Sequence, residues 1–153
     1  MLVHSIRKRL NCVLLIDDDP ATNFLHKLIL EQTQIAQEIK IVYNGQEALD
    51  YLTRQNDYQD ATDATAPFPD LIFPDINMPI MDGWEFLDNY QQTFGQDNPA
   101  VVICMLSTAL PTNVEQKLGD RGIPLENFIE KPLRRDRILS YLKKFFPEHI
   151  ESD

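Results

Sequence analysis

Cysteine is scarce in this chain: Cys12 and Cys104 are the only two, each inside an apolar segment. That is too few for a disulfide framework and fits small buried hydrophobes of a reduced compartment. Positive charge is also scarce, with 14 Lys and Arg against 24 Asp and Glu and a net charge of −10. Such a balance repels nucleic-acid phosphates and anionic lipid at long range. No apolar run nears the roughly 18 residues of a membrane span, and no stretch of signal-peptide length follows Arg7, Lys8 and Arg9. The three histidines, His4, His26 and His149, are scattered without ligand partners nearby and read as surface or helix-face residues. At 153 residues the chain fits one domain of about 100–200 residues. These absences point to a soluble, cytoplasmic protein whose partners are neither nucleic acid nor membrane.

What the chain does have is a set of apolar runs that end on chemistry. Val13-Leu14-Leu15-Ile16 ends on Asp17-Asp18-Asp19, Leu71-Ile72-Phe73-Pro74 on Asp75, and Phe128-Ile129-Glu130 on Lys131-Pro132. Open α/β sheets place their chemistry at the carboxyl ends of strands. Strands are read at 12–16, 40–43, 70–73, 100–106 and 127–130, alternating with helix-period segments, which predicts a parallel sheet with helices on both faces. The first helix starts near Pro20 and is expected to turn Phe24, Leu25, Leu28 and Ile35 to the sheet. Asn44 with Glu47, Asp82 with Glu85 and Thr112 with Glu115 each match a capping pattern and place the next three helix starts. The last helix, about 134–146, carries Ile138, Leu139, Leu142, Phe145 and Phe146 inward, and Pro147 stops it. Polar residues dominate 53–69, which reads as a mobile loop without apolar anchors.

The order Asp-Asp, then Asp75-Ile76-Asn77-Met78-Pro79-Ile80-Met81-Asp82-Gly83, then Ser107-Thr108, then Lys131-Pro132 resembles the receiver domains of two-component response regulators, of the chemotaxis-regulator type. The resemblance runs from about Asn11 to Phe146, leaving 1–10 as an N-terminal extension and 147–153 as a tail. It implies a five-stranded flavodoxin-like sheet of order 2-1-3-4-5, and 53–69 becomes an insertion roughly ten residues longer than the family needs. It implies that Asp75 is the phosphoacceptor, that Mg²⁺ is held by Asp18 directly, Asp17 through water, Asp75, and the main-chain carbonyl of Asn77, and that Lys131 pairs with the phosphoryl group. Ser107 would donate its hydroxyl to that group and Phe128 would follow it inward as the switch aromatic. The Lys131–Pro132 bond is usually cis in this family. Asn77, Thr108 and Ala109 occupy positions that tune the lifetime of the phosphorylated state. The donor would be a sensor histidine kinase or a histidine phosphotransfer protein.

Each residue also has a plainer reading. Asp17-Asp18-Asp19 before Pro20 matches a helix cap with acids favoured by the helix dipole, and Ser107 and Thr108 match ordinary strand-end hydroxyls. Two positions depart from the family pattern. Pro74 precedes the acceptor and is expected to end or bulge the strand, while Thr108 brings a branched side chain where the family usually has Ala, Gly or Ser. Two other functions compete with the switch. A Mg²⁺-dependent phosphohydrolase with an aspartyl nucleophile usually has Asp-x-Asp after its first strand, whereas here Asp75-Ile76-Asn77 follows the third. A phosphorylation-independent scaffold would not need the full set of Asp17, Asp18, Asp75, Ser107 and Lys131.

Overall fold

The computed structural model describes residues 8–95, 102–108 and 111–150. Ala109, His4 and the first residues of the expected fourth strand, Ala100 and Val101, lie outside them. In chain order the elements are β1 (Leu10–Ile16), α1 (Pro20–Thr33), β2 (Ala36–Val42), α2 (Gly45–Thr53), β3 (Leu71–Pro74) and α3 (Gly83–Phe94). They continue with β4 (Val102–Ile103), β5 (Met105–Ser107), α4 (Val114–Gly119), β6 (Phe128–Glu130) and α5 (Arg135–Phe145). β2, β1, β3 and β4 form one parallel sheet in that order, and β5 pairs in parallel with β6. An Asp75–Leu106 bridge and an Ile76 N–H to Leu106 carbonyl hydrogen bond of 3.1 Å carry the sheet from β3 to β5. With β4 and β5 counted as one interrupted strand, the order is the expected 2-1-3-4-5.

The interruption has a local cause. Cys104 donates to Ile72 and Ile76 donates to Leu106, so the intervening donor along this edge of β3 belongs to Pro74. Proline has no N–H, and the Cys104 carbonyl it would serve lies where the fourth strand breaks. Asp75 is not displaced by this, because its own N–H faces the other way and donates to Ile16 at 2.9 Å.

Period-2 alternation sends Val13, Leu15, Leu71 and Phe73 into a core with Leu30 of α1 and Ile138 and Leu142 of α5. Leu14, Ile16 and Ile72 go to the other face with Ala48, Tyr51 and Leu52 of α2 and Phe86 and Tyr90 of α3. A third cluster, Ile76, Leu87, Met105, Val114 and Leu118, lies under α3 and α4. Each fully buried Leu, Ile or Phe of these clusters contributes about 1.5–3 kcal/mol. Burial pushes the Cys12 thiol up to about 11 and the Cys104 thiol up to about 12, so both are protonated and packed.

Several expectations are corrected. On α1 the inward residues are Asn23, His26, Leu30 and Thr33, while Phe24 is 70% exposed and Leu25 and Leu28 also face solvent. Ile35 is buried as expected. Asn44 and Asp82 cap α2 and α3 as read, the latter in a full capping box with Glu85. Thr112 does not cap α4: Asn113 precedes it in the left-handed region at φ 59°, without a side-chain bond to the helix. In α5 Ile138 and Leu142 are buried and Phe145 and Phe146 pack at the core edge, whereas Leu139 is absent from that core. The loop after α2 is anchored. Tyr58 donates to Glu47 at 3.1 Å, Tyr51 donates to the Pro67 carbonyl at 2.7 Å, Arg54 pairs with Asp63, and Ala66 is buried. The stretch after α5 also packs onto the domain, with Ile150 in the core and the Lys8 N–H donating to the His149 carbonyl at 3.2 Å.

Candidate functional site

Four of the predicted residues meet at the carboxyl ends of the strands. Asp17 and Asp18 follow β1, Asp75 follows β3 and Lys131 follows β6. One carboxylate oxygen from each of Asp17, Asp18 and Asp75 lies within 4.8 Å of the others. Asp17 and Asp75 are buried and Asp18 is exposed, so the cluster opens to solvent on one side. The Lys131 ammonium sits 2.5 Å from Asp17 Oδ2 and 3.0 Å from Asp75 Oδ1.

These charges shape one another. Burial pushes the Asp75 carboxyl above its usual range; its hydrogen bond with Lys131 opposes this, and the Asp17 charge adds to it. Burial alone would lower the Lys131 ammonium, but its hydrogen bonds with Asp17 and Asp75 outweigh that and hold it above its ordinary value. Three carboxylates against one ammonium leave an unbalanced negative charge, and like charges about 4 Å apart repel by about 4 kcal/mol at an effective dielectric near 20. The donor set is all oxygen, clustered and partly open, which suits a hard divalent cation that keeps some of its water. The third acid of the triplet has a different task. Asp19 caps α1, accepting from the Ala21 N–H at 3.1 Å and the Thr22 hydroxyl at 2.7 Å, and these bonds, Thr22's first, lower its pKa.

Ser107 is buried at the end of β5, and its carbonyl accepts the Lys131 N–H at 2.8 Å. Lys131–Pro132 is cis. Phe128 is half-buried against the cluster under α3 and α4. Asn77 and Thr108 are exposed at the rim.

The segment after Asp75 is tightly built. Met81 N–H donates to the Pro79 carbonyl at 2.7 Å around Ile80, whose φ is 69°. This is a γ-turn with positive φ at a β-branched residue, a strained geometry costing on the order of 1–3 kcal/mol, and Ile80 is 80% exposed at its tip. Gly83 then donates to the Ile76 carbonyl at 2.9 Å, folding the segment back toward Asp75.

Sequence reasoning missed two residues beneath the site. Asn23 Nδ2 donates to the Asp17 carbonyl at 2.8 Å, and His26 Nε2 accepts the Leu133 N–H at 3.3 Å. The available signal was their spacing: 23, 26, 30 and 33 follow the helical period as well as the exposed apolar set does.

The response regulator receiver domain profile matches residues 13–143. The chain belongs to the response regulator receiver family. Among relatives of this receiver, the response regulator Rcp1 of Synechocystis is 30% identical over 97 residues, 63% of this chain and 61% of Rcp1's own length. A two-component response regulator from Cytophaga hutchinsonii has a similar structure, with TM-score 0.73, 29% identity, and coverage of 92% of this receiver and 99% of that chain. The Mn²⁺-bound form of Rcp1 shares the fold, with TM-score 0.69, 21% identity, and coverage of 94% of this receiver and 99% of that chain. Receiver domains are signalling switches that bind a divalent metal. Among the described residues of this one, no helix is long and apolar enough to cross a membrane.

Proposed function

We propose that this receiver is a phosphoacceptor switch: Asp75 takes a phosphoryl group from a histidine kinase or histidine phosphotransfer protein in a Mg²⁺-dependent reaction, and a protein contact reads the result in the cytoplasm. The observation that carries this reading is the Lys131 ammonium 3.0 Å from an Asp75 oxygen, beside the carboxylates of Asp17 and Asp18. Asp75 would attack phosphorus as the donor's P–N bond breaks, the imidazole leaving with the electron pair and taking up a proton. Asp17, Asp18, Asp75 and the Asn77 carbonyl would hold Mg²⁺. Bound there, the ion supplies positive charge to the phosphoryl oxygens. Lys131 would pair with one of those oxygens, and Ser107 would give its hydroxyl to another while Phe128 follows it inward. That rearrangement biases the face formed by α4, β6 and α5 between two states, with the phosphoryl group as the ligand.

The test is labelling by acetyl phosphate or a cognate kinase with and without Mg²⁺, set beside turnover of phosphate esters. Stoichiometric, Mg²⁺-dependent labelling without ester turnover supports the switch. Sustained ester turnover supports a phosphohydrolase, and no labelling supports a scaffold.

Two further outcomes are expected. Mg²⁺ at 100 times its dissociation constant stabilises the fold by about 2.7 kcal/mol, because it binds a cluster that exists only in the folded chain. Thermal melts read this as an increase of several degrees over EDTA, and equal melting temperatures would contradict the metal site. The second concerns Thr108, which stands exposed beside Ser107 and, in this reading, would narrow the path of an attacking water. Positioning of that water is a large part of the barrier, so Thr108→Ala speeds autodephosphorylation several-fold and leaves Mg²⁺ affinity unchanged. Phosphate release after donor removal measures it, and an unchanged or slower decay would contradict the role of Thr108.

A further inference from the structure

Three of the four buried residues of α1, Asn23, His26 and Thr33, are polar, where a helix packed on a sheet is normally apolar inside. His26 is 1% exposed. The ring is held neutral, since burial first and the Lys131 charge second both disfavour the imidazolium. A neutral ring keeps one acceptor nitrogen, and the Leu133 N–H, itself fully buried, points to Nε2 as that acceptor at 3.3 Å. A buried N–H needs a partner. Pro132 contributes no donor, so the backbone around Lys131 is tied at two points, Lys131 N–H to the Ser107 carbonyl on β5 and Leu133 N–H to His26 on α1. Three residues earlier, on the same helix face, Asn23 ties down the Asp17 carbonyl. One face of α1 thus holds the backbone on both sides of the Asp17–Lys131 ion pair.

We propose that His26 is a positioning residue for Lys131: by accepting the Leu133 N–H it fixes where the Lys131 ammonium stands relative to Asp75, and so sets the rate of phosphoryl transfer. The inference rests on the phosphoacceptor reading above. A core histidine that merely fills space would be replaced by any side chain of similar volume. A positioning histidine is replaced only by one that puts an acceptor where Nε2 stands. Glutamine reaches that position with Oε1; asparagine is too short, and leucine has no acceptor.

The experiment measures phosphorylation of Asp75 by acetyl phosphate at saturating Mg²⁺ in the wild type and in His26→Gln, His26→Asn and His26→Leu. Mg²⁺ affinity and the hydrogen-exchange rate of the Leu133 amide are measured in each. His26→Leu and His26→Asn are expected to phosphorylate roughly tenfold to a hundredfold more slowly, the scale of a misplaced catalytic group. Both should exchange the Leu133 amide faster and keep Mg²⁺ affinity close to wild type. His26→Gln is expected to recover most of the rate and the protection. Should His26→Leu not fold, the Gln and Asn variants still decide, because both are polar and differ in reach. Equal rates in the Gln and Asn variants, or loss of rate that tracks loss of Mg²⁺ affinity, would overturn the positioning role. An unlabelled wild type whose Leu133 amide is protected, and becomes exposed in the Asn variant, would instead refute the phosphoacceptor reading and the catalytic purpose of His26 with it, leaving only the hydrogen bond.

Discussion

Asp75→Asn abolishes phosphoryl labelling and, in EDTA at neutral pH, raises the melting temperature. Labelling is lost because an amide does not act as the nucleophile. The stability gain follows from the balance of charges. Asp75 is 6% exposed, and its raised carboxyl pKa shows that burial, with help from Asp17, outweighs the attraction of Lys131. A carboxyl whose pKa is higher in the folded state adds stability only while protonated. That contribution is complete below the ordinary carboxylate pKa and is lost as pH rises through the folded value. At neutral pH the ionised group is therefore a net cost, and the amide removes it. Lys131 is not orphaned, since Asp17 remains 2.5 Å away. The gain should be on the order of 1 kcal/mol, or about 2–4 °C for a domain of this size. In millimolar Mg²⁺ the difference shrinks or reverses, because the variant has lost one metal-binding carboxylate. Melts at neutral pH with EDTA or Mg²⁺ check both halves. A variant that is less stable in EDTA would mean that Lys131 attraction dominates.

Gly83→Ala has the largest expected effect on the fold itself. A Cβ at this position would stand 2.4 Å from the Asp75 carbonyl oxygen, 2.9 Å from Ile76 Cα and 3.0 Å from Met105 Cε. The first two are backbone atoms of Asp75 and the residue after it, so they yield only if Asp75 moves. Overpacking of this kind costs about 3 kcal/mol, and the displaced carboxylate should phosphorylate more slowly as well. Gly119→Ala is the matched control: nothing lies within 4 Å of its Cβ, and it ends α4. There alanine should be neutral or stabilise by up to about 1 kcal/mol. Urea denaturation of both variants gives the comparison, and equal midpoints would show that the close approach at Gly83 is not obligatory.

The placement of Asp75 at a strand end and the helix start after it were legible because the residues involved are local. Asp75 and the capping box at Asp82 and Glu85 lie in one short segment whose geometry the side chains themselves dictate. The strand ends at Asp17 and Lys131 were legible for a related reason, since apolar runs stop where the sheet stops.

What was not legible depended on long-range demands. Hydrophobic periodicity assigned Phe24, Leu25 and Leu28 to the inner face of α1, but the backbones around Asp17 and Lys131 need polar partners beneath them, so Asn23 and His26 turn inward. The apolar residues they displace are left on the surface. The break at Cys104 follows from a proline on the neighbouring strand, thirty residues away in sequence, whose consequence appears only once the two strands are paired. The polar loop after α2 looked free because its anchors are tyrosine hydroxyls and one ion pair rather than an apolar stripe.

The central claim is that Asp75 is the phosphoacceptor and that its phosphorylation needs the neighbouring acids to hold a divalent ion. The most direct measurement treats the wild-type protein with acetyl phosphate, with Mg²⁺ or with EDTA, reduces any acyl phosphate with borohydride, and maps the altered residue by peptide mass spectrometry. The account predicts reduction at Asp75 alone, in the Mg²⁺ sample alone. Modification at another carboxylate, or equal modification of Asp75 in EDTA, would contradict it.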